Sequence, residues 1–370
     1  MTVLPLSLVG GLAIQLSADL EIPVSALGAA SAAFFGAGTV MSPFAGVLVA
    51  KLGSRTAMRV SAVVVGAVLL VTGAWVNSLP ILLLLLAFGG AGNALAQPAT
   101  NLFLAQRVTV GRQGTAYGVK QSAIPASSLL AGVAVPALGL TVGWRWAFLL
   151  LAVPAIVLAL WAPGGGGRDH WASDATARRR LPRKTLVVIA VGAGVAAACA
   201  TSLSIFLVAG AVEAGWGEAQ AGLLFAGASA VGILARLGSG LQADRRGARH
   251  LEVVALMLAL GALGFATLAS GDHLLYALGA TIAYGLGWGW PGLLILSVVQ
   301  LNPHDPAAAT ALTQVGTSSG AVLGPLGFGL VVQHFGYGHA FGAGGIGLAI
   351  AAVTILLAAK LAGRETAADS

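Results

Sequence analysis

Two basic side chains, Lys120 and Arg236, stand inside long apolar runs, away from the polar stretches that hold the other lysines and arginines. Removing a charge from water is costly unless it is paired. Each cation therefore needs a partner, a route to the surface, or an anion to hold. Amides supply complementary chemistry. Asn93 and Gln97 are four residues apart and share one face of a helix. Gln121, Gln314 and Gln15 stand in other apolar runs, and Trp288 and Trp290 offer flat stacking surfaces. Amides, an aromatic face and a cation can together bind a small anion. The same amides can bond one another, since buried amides need partners, and tryptophans also serve in packing and at interfaces. No Asp, Glu or His lies well inside any apolar run, so the buried polar set is neutral to positive. No nucleophile stands beside a base, and no Cys/His spacing suits a metal. The one cysteine, Cys199, can form no intramolecular disulfide. Neither an enzyme, a cofactor nor a metal site is expected.

The elements that position these groups follow from composition. The chain has 370 residues, 58% hydrophobic and 8% charged, against about 25% charged in soluble domains. Such a chain suits a bilayer, where an apolar exterior is required. A span takes about 20 apolar residues. Apolar segments run at about 2–18, 24–49, 58–77, 80–106, 115–141, 143–162, 184–212, 217–243, 251–270, 273–301, 307–334 and 337–361. Their many small residues, as at Gly89, Gly90 and Gly92 or Gly285, Gly287 and Gly289, allow close helix packing in lipid. The expectation is an all-α integral membrane protein with twelve transmembrane helices. The N-terminus has no basic region ahead of its apolar run, unlike a signal peptide.

The net charge of +7 does not point to nucleic acid, because the basic residues sit in alternate loops. With the N-terminus inside, sixteen of the 19 lysines and arginines fall on the cytoplasmic side and only Arg145 outside, where Asp19, Glu21, Glu213, Glu218 and Asp272 gather. The positive-inside rule selects this topology, with both termini cytoplasmic and the chain in the cell (inner or plasma) membrane. Residues 163–183 are Gly-rich and then basic, and read as a cytoplasmic linker; its charges suit topology and also anionic head groups.

The chain repeats itself. Phe148 and Phe341, Pro98 and Pro291, and Gln121 and Gln314 are each 193 apart; Gly46 and Gly240, and Gly53 and Gly247, are 194 apart. That implies two pseudo-symmetric six-helix bundles related by an axis along the membrane normal, at 1–162 and 184–370. Segment seven begins near Lys184, so the offset places the start of the first span about ten residues before Met1. The first helix is expected to be shortened.

After segment eight the chain reads Gly240-Leu241-Gln242-Ala243-Asp244-Arg245-Arg246-Gly247-Ala248-Arg249. This resembles the signature loop of the major facilitator superfamily, and it falls between spans eight and nine as in that family. The loop between spans two and three, Gly46-Val47-Leu48-Val49-Ala50-Lys51-Leu52-Gly53-Ser54-Arg55, keeps the glycines and the basic residues but has Ala50 where the family usually has Asp. The resemblance implies a secondary transporter working by alternating access, commonly as a monomer, on a small-molecule substrate. It implies a cytoplasmic gate of Gly240, Asp244, Arg245, Gly247 and Arg249, with Gly46 and Gly53 in the other half. Asp244 should face the start of span five, near Thr115 to Gly118. A carboxylate at a helix N-terminus is worth about 0.3–1 kcal/mol when exposed and roughly 2 when partly buried. Ala50 makes that gate lopsided.

The resemblance also sets Lys120 and Arg236 beside the central cavity. Each cation can snorkel, pair with Asp244, or bind an anionic substrate. The lack of buried carboxylates tilts the reading toward a small organic or inorganic anion bound by Lys120, Arg236, Gln121, Gln314, Asn93, Gln97 and Trp288. Efflux of hydrophobic compounds is the alternative. Exporters of the superfamily often carry an Arg in span four, where this chain has none before Arg107. They also carry a Gly-Pro pattern in span five, which Gly132 and Pro136 match only in part, while Gly324-Pro325 falls in span eleven. A membrane sensor that kept the fold is the rival of another class, and the chain has no output domain for it. Pro125, Pro136, Pro291 and Pro325 are expected to interrupt helix hydrogen bonding. The coupling ion and the direction of transport are not readable from these residues.

Overall fold

The computed structural model describes residues 2–161, 182–246, 250–302 and 306–368, and every regular element among them is helical. The helices are α1 (Leu4–Gly11), α2 (Ala13–Asp19), α3 (Gly28–Trp75), α4 (Leu79–Arg107), α5 (Gln113–Ala134), α6 (Trp144–Trp161), α7 (Arg183–Glu213), α8 (Glu218–Arg246), α9 (His250–Ala269), α10 (His273–Gly285), α11 (Pro291–Leu301) and α12 (Pro306–Ala368). They fill the twelve expected spans, although helix and span do not correspond one to one. Span one is α1 and α2, bent at Leu12. Spans two and three are the two arms of α3, which reverse at Gly53 (φ 78°). Spans eleven and twelve are the arms of α12, which reverse at Gly336 (φ 83°). Span ten is divided into α10 and α11 by the turn at 286–290. Seven stretches are long and apolar enough to cross a membrane, and two of these hold both arms of a long helix. Most of the expected linker, with Gly247 and Arg249, lies outside the described residues.

The duplication is visible in the backbone. Gly143 (φ 99°) and Gly336 (φ 83°) are 193 residues apart and both have positive φ. Glu21 (φ 54°) stands 194 residues before Gly215 (φ 91°) and shares its positive φ despite having a side chain. Packing repeats as well. Gly38 lies against the carbonyl of Gly90, and its mate Gly232 against that of Tyr284; a Cβ there would come to 3.2 and 3.3 Å respectively.

The two halves meet along two seams. In one, α5 and α8 run antiparallel at close approach. A Cβ on Gly132 would come 2.5 Å from the Gly222 carbonyl, one on Gly118 would come 2.6 Å from that of Arg236, and one on Gly240 would come 2.5 Å from that of Gly114. In the other, the first arm of α3 meets the first arm of α12. Ser31 Oγ donates to the Ala321 carbonyl at 2.9 Å, and a Cβ on Gly28 would overlap the Pro325 carbonyl. Small residues give this approach its depth, since lipid supplies no hydrophobic drive between helices.

Gly118→Val should lower the thermal stability of the purified protein by about 1–3 kcal/mol, as overpacking does. Gly36→Val, where a Cβ meets nothing within 4 Å, should leave the unfolding transition near that of the parent.

Candidate functional site

The sequence-selected groups lie in layers along the bundle. The end carrying the basic loops is called the basic end here, and the other the acidic end. At the basic end, Asp244 near the close of α8 reaches across to the start of α5. One carboxylate oxygen accepts from Gly114 N at 2.7 Å. The other accepts from Thr115 N at 2.8 Å and Thr115 Oγ1 at 2.5 Å. The first N–H groups of a helix have no partner within it, so a carboxylate from the opposite half caps them. Neither Lys120 nor Arg236 pairs with Asp244. Arg245 is exposed beside it.

One layer deeper, Arg236 is 2% exposed. Its Nε and one terminal nitrogen donate to the Trp288 carbonyl at 3.1 and 2.6 Å. The other terminal nitrogen donates to the Gln121 carbonyl at 2.5 Å. The sequence explains why both carbonyls are free. In a helix, Gln121 would accept from the residue four positions on, which is Pro125 and has no N–H. Trp288 sits in the turn that divides span ten. The guanidinium also lies 5.4 Å from the Trp288 ring centre. One side chain on α8 thus binds the backbone of α5, in the other half, and of span ten, in its own. Between these elements lies a crevice, lined in part by Gly118, Ser239 and Leu293, with no room for a water molecule.

At the level of Arg236 toward α4, Lys120 is half-buried and its Nζ donates to Asn101 Oδ1 at 2.6 Å. Asn101 extends the spacing of Asn93 and Gln97 by four, so three amides descend one side of α4 toward the ammonium. Asn93 is buried and accepts from Thr2 Oγ1 at 2.7 Å; Gln97 is half-buried. Gln314 is exposed, and its amide donates to Ser318 Oγ at 3.2 Å. The repeat mates therefore part company: Gln121 is buried in the α5/α8 seam and Gln314 is open. Gly46 is exposed and Gly53 half-buried, and among the described residues a Cβ on either would meet nothing within 4 Å. Trp290 is buried, and its Nε1–H has no partner among the described residues.

Sequence reasoning missed the hydroxyl cluster at the core. Tyr284 OH donates to Ser128 Oγ at 2.6 Å. Ser204 Oγ lies 3.5 Å from the same phenol and Ser7 Oγ 3.4 Å from Ser128 Oγ. All four side chains are buried, and they come from spans one, five, seven and ten. Isolated serines in apolar runs give no such signal, because most bond their own helix, as Ser297 does to the Leu293 carbonyl at 2.7 Å. Asn101 could have been found from its spacing. At the acidic end, Gln15 Nε2 donates to Glu218 Oε2 at 2.6 Å across the halves. Arg145 and Asp19 pair at 2.6 Å, an exposed ion pair of small worth.

The sequence profile of the Major Facilitator Superfamily matches residues 1–207 and again 189–369. A comparison with curated protein sequences finds no match. Among solved structures, the human organic anion transporter MFSD10 (TETRAN) is similar in fold. It superposes with a TM-score of 0.66 at 15% sequence identity, over 96% of this chain and 98% of that one.

If Arg236 is held in place by the carbonyl that Pro125 frees, the two residues must be energetically coupled. Arg236→Met should cost about 2–5 kcal/mol in thermal unfolding, as removing one partner of a buried charged set does. In a Pro125→Ala background, where the restored backbone N–H can bond the Gln121 carbonyl, the same change should cost measurably less. Equal costs in the two backgrounds would contradict the coupling.

Proposed function

This chain belongs to the major facilitator superfamily, and from that premise we propose that it carries a small organic or inorganic anion across the cell membrane by alternating access. It is a multi-pass membrane protein of a transporter family. The observation that carries the anion reading is Lys120, a cation within a span that has an amide for a partner and no acid. Among the described residues the one ion pair is Arg145 with Asp19. An ammonium has three donors, and Asn101 takes one of them. The remaining donors suit a carboxylate, phosphate or similar oxyanion, with Asn101, Gln97 and Asn93 supplying amide N–H groups along its path. MFSD10 is described as an organic anion transporter; its likeness to this chain lies in the fold.

In this reading the basic end is cytoplasmic, in keeping with the positive-inside rule. Lys120 attracts the anion into the mouth, and Asp244 fastens α8 to the start of α5 beside it. Arg236, Gln121 and Trp288 contribute chiefly by holding the halves in register, and Arg236 adds positive potential behind Lys120. Removing a charge-assisted hydrogen bond from a substrate costs about 1.5–3 kcal/mol, or roughly ten- to a hundredfold.

Saturable uptake of a small-anion panel into proteoliposomes should therefore fall at least about tenfold in Lys120→Gln and recover in part in Lys120→Arg. Undiminished anion uptake in Lys120→Gln would overturn the site. Saturable transport of lipophilic cations, untouched by that change, would replace the anion reading with efflux.

A further inference from the structure

The repeat permits a comparison of the two seams position by position. At the acidic end they match. Gly132 packs on Gly222 in one, and their mates Pro325 and Gly28 pack on each other in the other. At the basic end they differ. Gly118 and Arg236 are buried against each other, whereas their mates Ala311 and Ser42 are both exposed. Gly240 is buried against Gly114. Its mate Gly46 is exposed and faces open space. Gln121 is buried and Gln314 exposed. One seam is closed along its whole length, and the other is closed at the acidic end and parted at the basic end.

The sequence supplies the cause. Two side chains of α8 bridge the halves at the basic end of the closed seam: Arg236, through the Gln121 carbonyl, and Asp244, through the N-terminus of α5. Their repeat mates on α3, 194 residues earlier, are Ser42 and Ala50. Ser42 is too short to span the halves, and Ala50 offers no acceptor. Both inter-half staples are thus present on one seam and absent from the other. The parted seam is also more polar than a lipid-facing surface, because Ser42, Gly46, Ala311, Gln314 and Ser318 are small or polar, with Val47 and Val315 exposed among them. Small residues at those positions also allow the faces to meet, as their mates do in α5 and α8.

We propose that the protein opens at its basic end on one side only: the α5/α8 seam stays fastened as a hinge, and the gap between the first arms of α3 and α12 is the aqueous portal through which solute passes. Two equal seams would open together; unequal ones concentrate the motion where the fastening is weaker. The portal lining is neutral, so it admits an anion without binding it strongly. The inference rests on the transporter fold and does not depend on the substrate being an anion.

The test uses the full chain in proteoliposomes, in a Cys199→Ala background, with single cysteines at Ser42, Ala311 and Ser239. Ser239 lines the closed seam near Arg236. A membrane-impermeant maleimide should modify Ser42→Cys and Ala311→Cys at least about tenfold faster than Ser239→Cys, because only the last needs the packed seam to open first. A cleavable bifunctional thiol reagent bridging Ser42→Cys to Ala311→Cys should arrest transport, and cleavage should restore it. Labelling of Ser239→Cys as fast as Ser42→Cys would mean that both seams open and would overturn the proposal. So would no labelling at Ser42 and Ala311, which would mean that lipid covers the gap, or full transport in the bridged chain. Labelling needs no substrate, so a failure of the anion reading leaves this result interpretable.

Discussion

A guanidinium at 2% exposure with no carboxylate beside it would be untenable in an apolar bundle, and Arg236 is stable there because two helices have been interrupted around it. Pro125 denies Gln121 its helical donor, and the break in span ten leaves the Trp288 carbonyl facing inward. Each interruption alone would strand a buried acceptor at about 1–3 kcal/mol. With Arg236 between them, two defects and one buried charge satisfy one another. The contact crosses the halves, and the close glycine packing of α5 on α8, the crevice too narrow for water and the reach of Asp244 to Gly114 all require the register that it sets.

The duplication makes the consequence visible. Backbone turns, glycine contacts and the acidic-end packing are shared between the repeats, so the fold itself is nearly symmetric. The chemistry added to it is not. Arg236 and Asp244 have Ser42 and Ala50 as counterparts, and the hydroxyl cluster around Tyr284 falls where the other half has Gly90. A symmetric scaffold with asymmetric fastening has one stiff side and one yielding side. In the mechanism proposed above, the stiff side keeps the halves aligned while the yielding side opens.

Much of this was legible in the residues. Hydropathy located every span, because twenty consecutive apolar residues have few alternatives to crossing a bilayer. The repeat offset is kept in the matching contacts of Gly38 and Gly232, and the loop around Asp244 pointed to the start of α5, where the carboxylate is found. The role of Arg236 was less legible, since a cation in a span reads equally as a substrate ligand, a snorkelling group or a staple until its neighbours are placed. Pro125 four residues after Gln121 was the available sign, and a proline alone does not tell what takes up the freed carbonyl. The hydroxyl cluster was illegible: Ser7, Ser128, Ser204 and Tyr284 are brought together by tertiary packing of four spans, and none differs locally from a serine or tyrosine that bonds its own helix. Gln314 shows the opposite limit. Its symmetry to Gln121 suggested a shared role, and the parting of one seam gives the two different surroundings.

The most direct test of the account is a pair of distance distributions measured by pulsed dipolar spectroscopy in lipid. One label pair spans the α5/α8 seam at Arg112 and Gln242, and the other spans the second seam at Ala50 and Ala311; all four positions are exposed. The account predicts a narrow α5/α8 distribution that stays in place when transported solute is added, and a second-seam distribution that is broad or divided and shifts with solute. Matching shifts in both pairs would show two equivalent gates and contradict the fastening of the halves by Arg236 and Asp244.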